Sequence, residues 1–83
     1  MTEQAGDVRM LVEHVAKALV EAPGEVQVNQ VEEDGETVLE LEVAENDMGR
    51  VIGKQGRTAR AFRNLLSAAG VKAHRHYVLE ILE

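Results

Sequence analysis

MGRVIGKQGRTARAFRNLL, residues 48–66, sets two glycines around two polar residues in the middle of a helical pattern. The apolar pair Val51-Ile52 precedes the first glycine, and an arginine-rich helical pattern follows the second. Glycine at both ends, Gly53 and Gly56, lets the backbone adopt positive φ and lets another chain approach without meeting a Cβ. The stretch therefore predicts a tight turn between two helices.

The predicted turn is surrounded by positive charge. Five bases lie close to it in the sequence: Arg50, Lys54, Arg57, Arg60 and Arg63. No acid occurs between Asp47 and Glu80. Unpaired N–H groups at the start of a helix, together with the helix dipole, favour an anion. The turn is thus a predicted phosphate-binding site, and nucleic acid is the polymer that offers repeated phosphates.

Two other phosphate-binding loops do not fit this stretch. A P-loop has four residues between its glycines and then Gly-Lys-Ser/Thr, whereas Gly49 and Gly53 enclose three residues and Gln55 follows Lys54. A dinucleotide-binding fingerprint begins with Gly-x-Gly after a strand, and Val51 stands where its second glycine is needed. Both classes are excluded.

The composition describes one small domain with an aliphatic core. The chain has 83 residues, 45% of them apolar, but aromatic residues make up only 2%, namely Phe62 and Tyr77. The aromatic stacking platforms of RRM and OB modules are therefore not available, and base contacts should be aliphatic. There is no cysteine, which excludes disulfides and thiolate metal sites.

Charge is strongly polarised along the chain, although its net value is −6. Residues 1–47 carry thirteen acids and two bases, whereas residues 48–79 carry seven bases and no acid. A basic surface on an acidic body can collect phosphates locally while the acidic remainder limits indiscriminate binding. Without a basic, apolar leader or a long apolar run, the sequence predicts a cytoplasmic protein with no membrane contact.

The hydrophobic periodicity predicts the order α-β-β-α-α-β in a domain spanning residues 7–83, after a flexible start at residues 1–6. Helical spacing follows a proposed N-cap at Asp7 and ends at Ala22. Alternation of period two on both sides of residues 33–35 predicts a β-hairpin. Asn46 or Asp47 is the predicted cap of the helix at residues 48–52.

The predicted third helix has its buried stripe at Ala59, Phe62, Leu65, Leu66 and Ala69, with Gly70 as its C-cap. A last strand is predicted from about residue 74 to residue 82. The long helical crossover favours a parallel, right-handed connection between the last two strands. The predicted fold class is α+β, with a three-stranded mixed sheet and three helices packed on one face.

VIGKQGRT resembles the V-I-G-x-x-G signature of KH domains, and the predicted element order is that of the type II KH fold. Over nearly its whole length the chain is similar to the small bacterial single-KH-domain proteins of the KhpA type, most specifically in residues 49–66. The resemblance implies a GxxG loop that clamps about four nucleotides of single-stranded RNA. Single-stranded DNA remains an alternative ligand.

The resemblance also implies a cellular role and partners. It implies an RNA chaperone or post-transcriptional regulator linked to cell envelope growth, cell shape and division. The implied partners are a second copy, giving a homodimer, or a KH protein of the KhpB type. The alternative is a KH-fold module that acts mainly through protein contacts. No enzymatic activity, cofactor or metal site is expected; His74 and His76 share a strand face but have no evident third ligand.

Ten residues are expected to contact RNA: Gly49, Arg50, Val51, Ile52, Gly53, Lys54, Gln55, Gly56, Arg57 and Arg60. The loop backbone and Lys54 would hold phosphates, and Val51 or Ile52 would pack under bases. Arg63 is not included, because helical geometry turns it away from Arg57. Ala59 stands where KH signatures usually place isoleucine, which should thin the apolar packing under the groove.

Overall fold

A computed structural model describes residues 4–83, with side chains described from residue 8 onward. The helices and strands are α1 (Gln4–Leu19), β1 (Gln27–Glu33), β2 (Glu36–Glu42), α2 (Met48–Ile52), α3 (Arg57–Ala73) and β3 (Tyr77–Ile81). Short 3-10 turns occupy Pro23–Glu25, Glu45–Asp47 and Lys54–Gly56. The predicted α-β-β-α-α-β order is confirmed.

β1 and β2 form the predicted antiparallel hairpin, with Glu33 opposite Glu36. Asp34 and Gly35, the two residues between them, have φ of 51° and 81°. Positive φ at both central residues is typical of the tight turn whose twist matches that of the flanking strands. The alternating sequence and the turn residues therefore specify the same register.

β3 pairs in parallel with β2, from Thr37 opposite Tyr77 to Leu41 opposite Ile81. The strand order is β1-β2-β3, so the sheet is mixed, as predicted. The parallel pairing requires a crossover, and α2, the glycine loop and α3 provide it. The loop is therefore held in place by two helices that are themselves anchored to the sheet.

The core lies between the helices and one face of the sheet. Leu39 and Leu41 of β2 are fully buried, and they belong to one cluster with Val12, Val51 and Phe62. Burying an aliphatic side chain of this size contributes about 1.5–3 kcal/mol, so the central strand accounts for much of the stability. The predicted buried stripe of α3 was wrong at Leu65, which is 42% exposed.

The first helix begins earlier than predicted. α1 starts at Gln4, so Asp7 lies inside the helix rather than at its N-cap, and it ends at Leu19 rather than at Ala22. Pro23 begins a short 3-10 turn, because its ring cannot continue an α-helix but suits a first position. The predicted flexible start falls partly outside the described residues, and residues 4–6 belong to α1.

Asp47 is not a helix cap of the usual kind. No side chain caps α2. Instead the buried carboxylate of Asp47 accepts hydrogen bonds from the backbone N–H groups of Glu21 at 3.0 Å and Ala22 at 3.1 Å. Backbone donors in a connecting segment need such acceptors when water cannot reach them fully. Asp47 therefore ties the segment after α1 to the start of α2.

The predicted C-cap at Gly70 was also wrong, because α3 continues to Ala73. His74 is the cap residue, in the left-handed conformation with φ 57° and ψ 42°. Gly70 is needed for another reason: the N–H of Arg75 donates to the Gly70 carbonyl, which draws the two backbones together. A Cβ at position 70 would lie 2.5 Å from the carbonyl oxygen of Arg75.

We expect Gly70→Ala to lower the free energy of unfolding by about 1 kcal/mol. Overpacking against a backbone atom costs about 1–3 kcal/mol, and the better helix propensity of alanine recovers about 1 kcal/mol of it. Urea denaturation followed by circular dichroism measures the difference. Gly24→Ala is the control, because a Cβ at Gly24 meets nothing within 4 Å. A stabilised Gly70→Ala variant would contradict the close approach.

Candidate nucleic-acid interface

The loop between α2 and α3 has a backbone that depends on its two glycines. Gly53 has φ 78° and ψ 169°, and its N–H donates to the Gly49 carbonyl at 2.8 Å, which ends α2. Gly56 is left-handed at φ 74° and donates to the Gly53 carbonyl at 3.0 Å. Both glycines therefore have the positive φ that the sequence predicts for them.

Gln55 is also left-handed, with φ 57° and ψ 26°. Its backbone carbonyl accepts a hydrogen bond from Nη2 of Arg60 at 3.1 Å. Lys54 and Gln55 are both exposed at the tip of the loop. The side chain of Arg60 therefore braces the loop from α3, while the two tip residues face solvent.

The N-terminus of α3 lies directly behind the loop. No side chain caps it, and its N-cap residue is Gly56. The amide N–H groups of such a first turn have no intrahelical acceptor and favour an anion. Lys54, Arg57 and Arg63 are exposed and have no ion-pair partner among the described side chains. This end of the molecule thus has the donors and the charge that a phosphate requires.

A groove of about 330 Å³ runs beside the loop. It lies between α2, α3 and the end of β3, and its lining residues are Met48, Ile52, Gly56, Ala59, Arg60, Arg63, Ile81 and Glu83. A second cavity of about 550 Å³ shares Met48, Ile52 and Glu83 with it and continues past Glu42, Val43 and Glu45. Together they form an open channel with an apolar floor.

The two apolar residues predicted to pack under bases lie in different places, one in the core and one at the groove. Val51 has no exposed surface and belongs to the core. Ile52 is half-buried and lines the groove. Ala59, the residue that departs from the usual isoleucine, is 5% exposed and also lines the groove. That this small side chain thins the apolar packing under the groove stays a prediction.

Arg50 has contacts that the sequence did not indicate. Its Nη2 lies 2.9 Å from Oε2 of Glu21, and its Nε lies 3.4 Å from Oδ1 of Asp47. The side chain is still 49% exposed. Arg50 therefore belongs to the network that joins the segment after α1 to α2, and a phosphate would have to compete with Glu21 for it.

Arg63 is the residue that sequence reasoning left out and that the structure brings to the groove. It follows Arg60 by three residues, so both lie on one face of α3. The sequence analysis compared the helix face of Arg63 with that of Arg57 only. Comparison with Arg60 would have shown that Arg60 and Arg63 share a face. The contribution of Ile81 could not be predicted in the same way, because it depends on the register of β3.

Acidic residues also line the channel. Glu42 and Glu45, at the end of β2 and just after it, line only the second cavity, whereas Glu83 lines both cavities. Like charge repels a phosphate backbone, so a bound strand would be held towards the loop and α3.

Within residues 4–83, no group of three or more acidic or histidine side chains has the arrangement of a metal site.

The described helices include none that is long and apolar enough to cross a membrane.

A mixed three-stranded sheet in the order found here, with a GxxG loop in its crossover, defines a type II KH domain. The model of one family, described as KhpA/KhpB, KH domain, matches residues 9–81. The chain belongs to this family.

Several relatives are alike over nearly their whole length. The RNA-binding protein KhpA of Clostridium acetobutylicum is 50% identical over 74 residues, which cover 89% of this chain and 99% of that protein. The proteins of the same name from Treponema pallidum and Bacillus subtilis are 48% and 41% identical, each over 88% of this chain and 91% and 90% of their own. No solved structure matches this chain.

Proposed function

We propose that this chain binds single-stranded RNA in the groove beside the loop at residues 53–56, without catalysing a reaction. The observation that carries the proposal is the placement of four basic side chains, Lys54, Arg57, Arg60 and Arg63, around an uncapped helix N-terminus and an apolar channel. The names of the relatives, RNA-binding protein KhpA, support the same function.

In the proposed complex, the loop backbone and Lys54 hold successive phosphates, and Arg57, Arg60 and Arg63 supply further charge. Gly49 and Gly56 let the strand approach closely, and the bases lie on Ile52. A single strand can turn its unpaired bases towards this floor, whereas the bases of a duplex are stacked and paired with each other. The exposed floor contains no aromatic side chain, so apolar contact and edge hydrogen bonds replace stacking.

Lys54→Asp combined with Gln55→Asp is expected to weaken RNA binding at least about tenfold, because carboxylates at the loop tip repel phosphate. Fluorescence anisotropy with short single-stranded RNA pools, matched DNA and duplex RNA measures the loss. For the wild type, log K should fall with log salt at a slope of about −3 if four cations engage a single strand.

The control is Lys17→Asp combined with Asn29→Asp, which changes the net charge equally at exposed positions on α1 and β1. It should bind RNA like the wild type. Equal loss in both double variants would show that net charge alone, and not the loop, governs binding. No RNA binding by the folded wild type at high micromolar concentration would refute the proposed function.

A second candidate function is a protein-docking module, and one surface favours it. An apolar groove lies between α1 and α3, lined by Val15, Leu19, Thr58, Ala61, Phe62 and Leu65. We propose that a homodimer, or a complex with a KhpB-type KH protein, would use this surface. Light scattering on the loop variant separates the two functions: an unchanged oligomer with lost RNA binding supports the first.

At the cellular level, we propose a cytoplasmic RNA chaperone or post-transcriptional regulator linked to cell envelope growth and division. The support for this role is the family alone. Depleting the protein and measuring RNA abundance together with cell dimensions tests it. Unchanged cell dimensions and unchanged RNA levels would count against the role while leaving RNA binding itself intact.

A further inference from the structure

A pocket of about 800 Å³ lies at the opposite end of α3 from the glycine loop. The hairpin turn, the end of α3 and the start of β3 enclose it. Its polar lining includes Thr37, Ser67, His74, Arg75 and His76. The proposed function uses none of these side chains. The prediction that His74 and His76 share a strand face was wrong, because His74 caps α3 and β3 begins only at Tyr77.

The pocket and the RNA groove lie along the same face of α3. Arg60 and Arg63 line the groove, whereas Ser67 and His74, at the helix and its cap, line the pocket. Gly70 continues the series. Successive members are three or four positions apart, the spacing that places side chains on one helix face. From residue 60 to residue 74 this face is about 21 Å long at 1.5 Å per residue.

β3 takes part in both cavities in the same way. Ile81, near its end, lines the groove, and Tyr77, at its start, lines the pocket. Since α3 and β3 both run from one cavity to the other, the two cavities lie at opposite ends of the contact between the helix and the edge strand. A strand bound at the loop can therefore continue into the pocket without leaving this side of the molecule.

Basic side chains lie at both ends of this side of the molecule. Arg60 and Arg63 line the groove, and Arg75 lines the pocket together with two histidines. The side chain of His74 is exposed and has no hydrogen-bond or ion-pair partner in the part of the chain that the structure describes. Arg75 is 45% exposed and donates from Nη1 to Oγ1 of Thr37 at 3.3 Å.

Two carboxylates oppose this charge. Oε2 of Glu32 lies 3.9 Å from Arg75, and Oε2 of Glu36 lies 2.9 Å from Nδ1 of His76. These side chains are 57% and 40% exposed, and ion pairs in water at such sites are weak. A phosphate that accepts hydrogen bonds from two or three protein donors can therefore replace Glu32 as the partner of Arg75.

Building on the proposed function, we propose that this pocket is a second phosphate site for the same RNA strand. Arg75 binds a phosphate beyond the nucleotides held at the loop, and the side chains of His74 and Ser67 are further donors. RNA long enough to reach the pocket binds more tightly than RNA that fills the loop site alone, which for a KH groove is about four nucleotides.

The test compares oligouridylates of 4, 8 and 12 nucleotides on the wild type and on Arg75→Ala. We expect the variant to bind the longest RNA about threefold more weakly, since one exposed charge contact is lost. Its affinity for the 4-nucleotide RNA should not change. Comparing the two proteins at each length removes the statistical advantage that a longer strand gains from multiple registers.

The control removes one base from α1, in Arg9→Ala. Arg9 is exposed to nearly the same extent as Arg75, 41% against 45%, and also contacts one glutamate, Glu13. It should leave binding unchanged at every length.

Three outcomes would overturn the second site. The pocket variant could bind the 12-nucleotide RNA like the wild type, or it could lose affinity equally for all lengths, since a distal site cannot act on a strand too short to reach it. Alternatively, the α1 control variant could lose affinity for the longer RNA as much as the pocket variant does. In each case intact binding of the 4-nucleotide RNA by the wild type leaves the proposed function standing, whereas no binding at any length refutes both.

Discussion

Gly53→Ala is expected to lower the free energy of unfolding by about 3 kcal/mol, from backbone strain of about 1–3 kcal/mol and overpacking of similar size. The φ of 78° and ψ of 169° at Gly53 belong to a region that only glycine populates readily. An added Cβ would also meet the side chain of Thr58 and lie 2.7 Å from the Thr58 backbone nitrogen. Rotating the threonine relieves only the first of these contacts.

The thermal midpoint measures this effect, and for a domain of this size it should fall by more than about 10 °C. Gly49→Ala is the matched control within the same stretch. Gly49 lies inside α2, and a Cβ there meets nothing within 4 Å. The control should be stabilised by up to about 1 kcal/mol. Equal midpoints for the two variants would contradict the described loop conformation.

The same control has a separate use in binding assays. Because Gly49→Ala leaves the fold intact, any loss of RNA affinity in this variant reports directly on how closely a strand approaches α2. Gly53→Ala cannot serve this purpose, since its binding defect would include the altered loop. The two glycines are only four residues apart, but different contacts restrict their replacement. Contacts within the protein restrict Gly53, whereas in the proposed complex only the bound RNA restricts Gly49.

Asp47→Ala is expected to lower the free energy of unfolding by about 2–4 kcal/mol. Its carboxylate is 2% exposed and accepts from two backbone N–H groups, and Arg50 lies beside it. Hydrogen bonds to a charged acceptor contribute about 1.5–3 kcal/mol each, and the partners of a deleted group lose their only buried acceptor. Because Glu21 and Ala22 are partly exposed, the loss of unfolding free energy should stay below the sum of the two hydrogen-bond contributions.

Urea denaturation of Asp47→Ala and of Asn46→Ala tests this role. Asn46 is the exposed neighbour that the sequence offered as an alternative cap, and its replacement should change stability by less than about 0.5 kcal/mol. Asp47→Asn should lie between the two, because its amide oxygen retains one acceptor. Similar stabilities for the alanine variants at positions 46 and 47 would show that the carboxylate carries no structural role.

The sequence predicted those features that depend on local pattern. Period-two alternation around Asp34-Gly35 was sufficient for the hairpin, and two glycines three apart between helical patterns were sufficient for the loop. The parallel strand followed from the length of the crossover. These signals are local because neighbouring residues on one element share its faces.

The features that the sequence did not predict depend on residues far apart. Asp47 looked like a cap because its real partners, the N–H groups of Glu21 and Ala22, lie about 25 positions earlier. Gly70 looked like a helix end because the carbonyl it accommodates belongs to a later turn. Arg50 looked free for RNA because Glu21 gave no sign of approaching it. Such pairings require the assembled fold.

The parallel pairing of β2 with β3 has a consequence for how the molecule folds. Thr37 and Tyr77, which pair directly, are 40 positions apart. Closing so long a loop costs more chain entropy than forming the hairpin, and contacts of this kind slow folding. Ile81 reaches the groove only when this pairing is complete. The groove beside the loop should therefore be the last part of the domain to form in refolding and the first to be lost when β3 detaches.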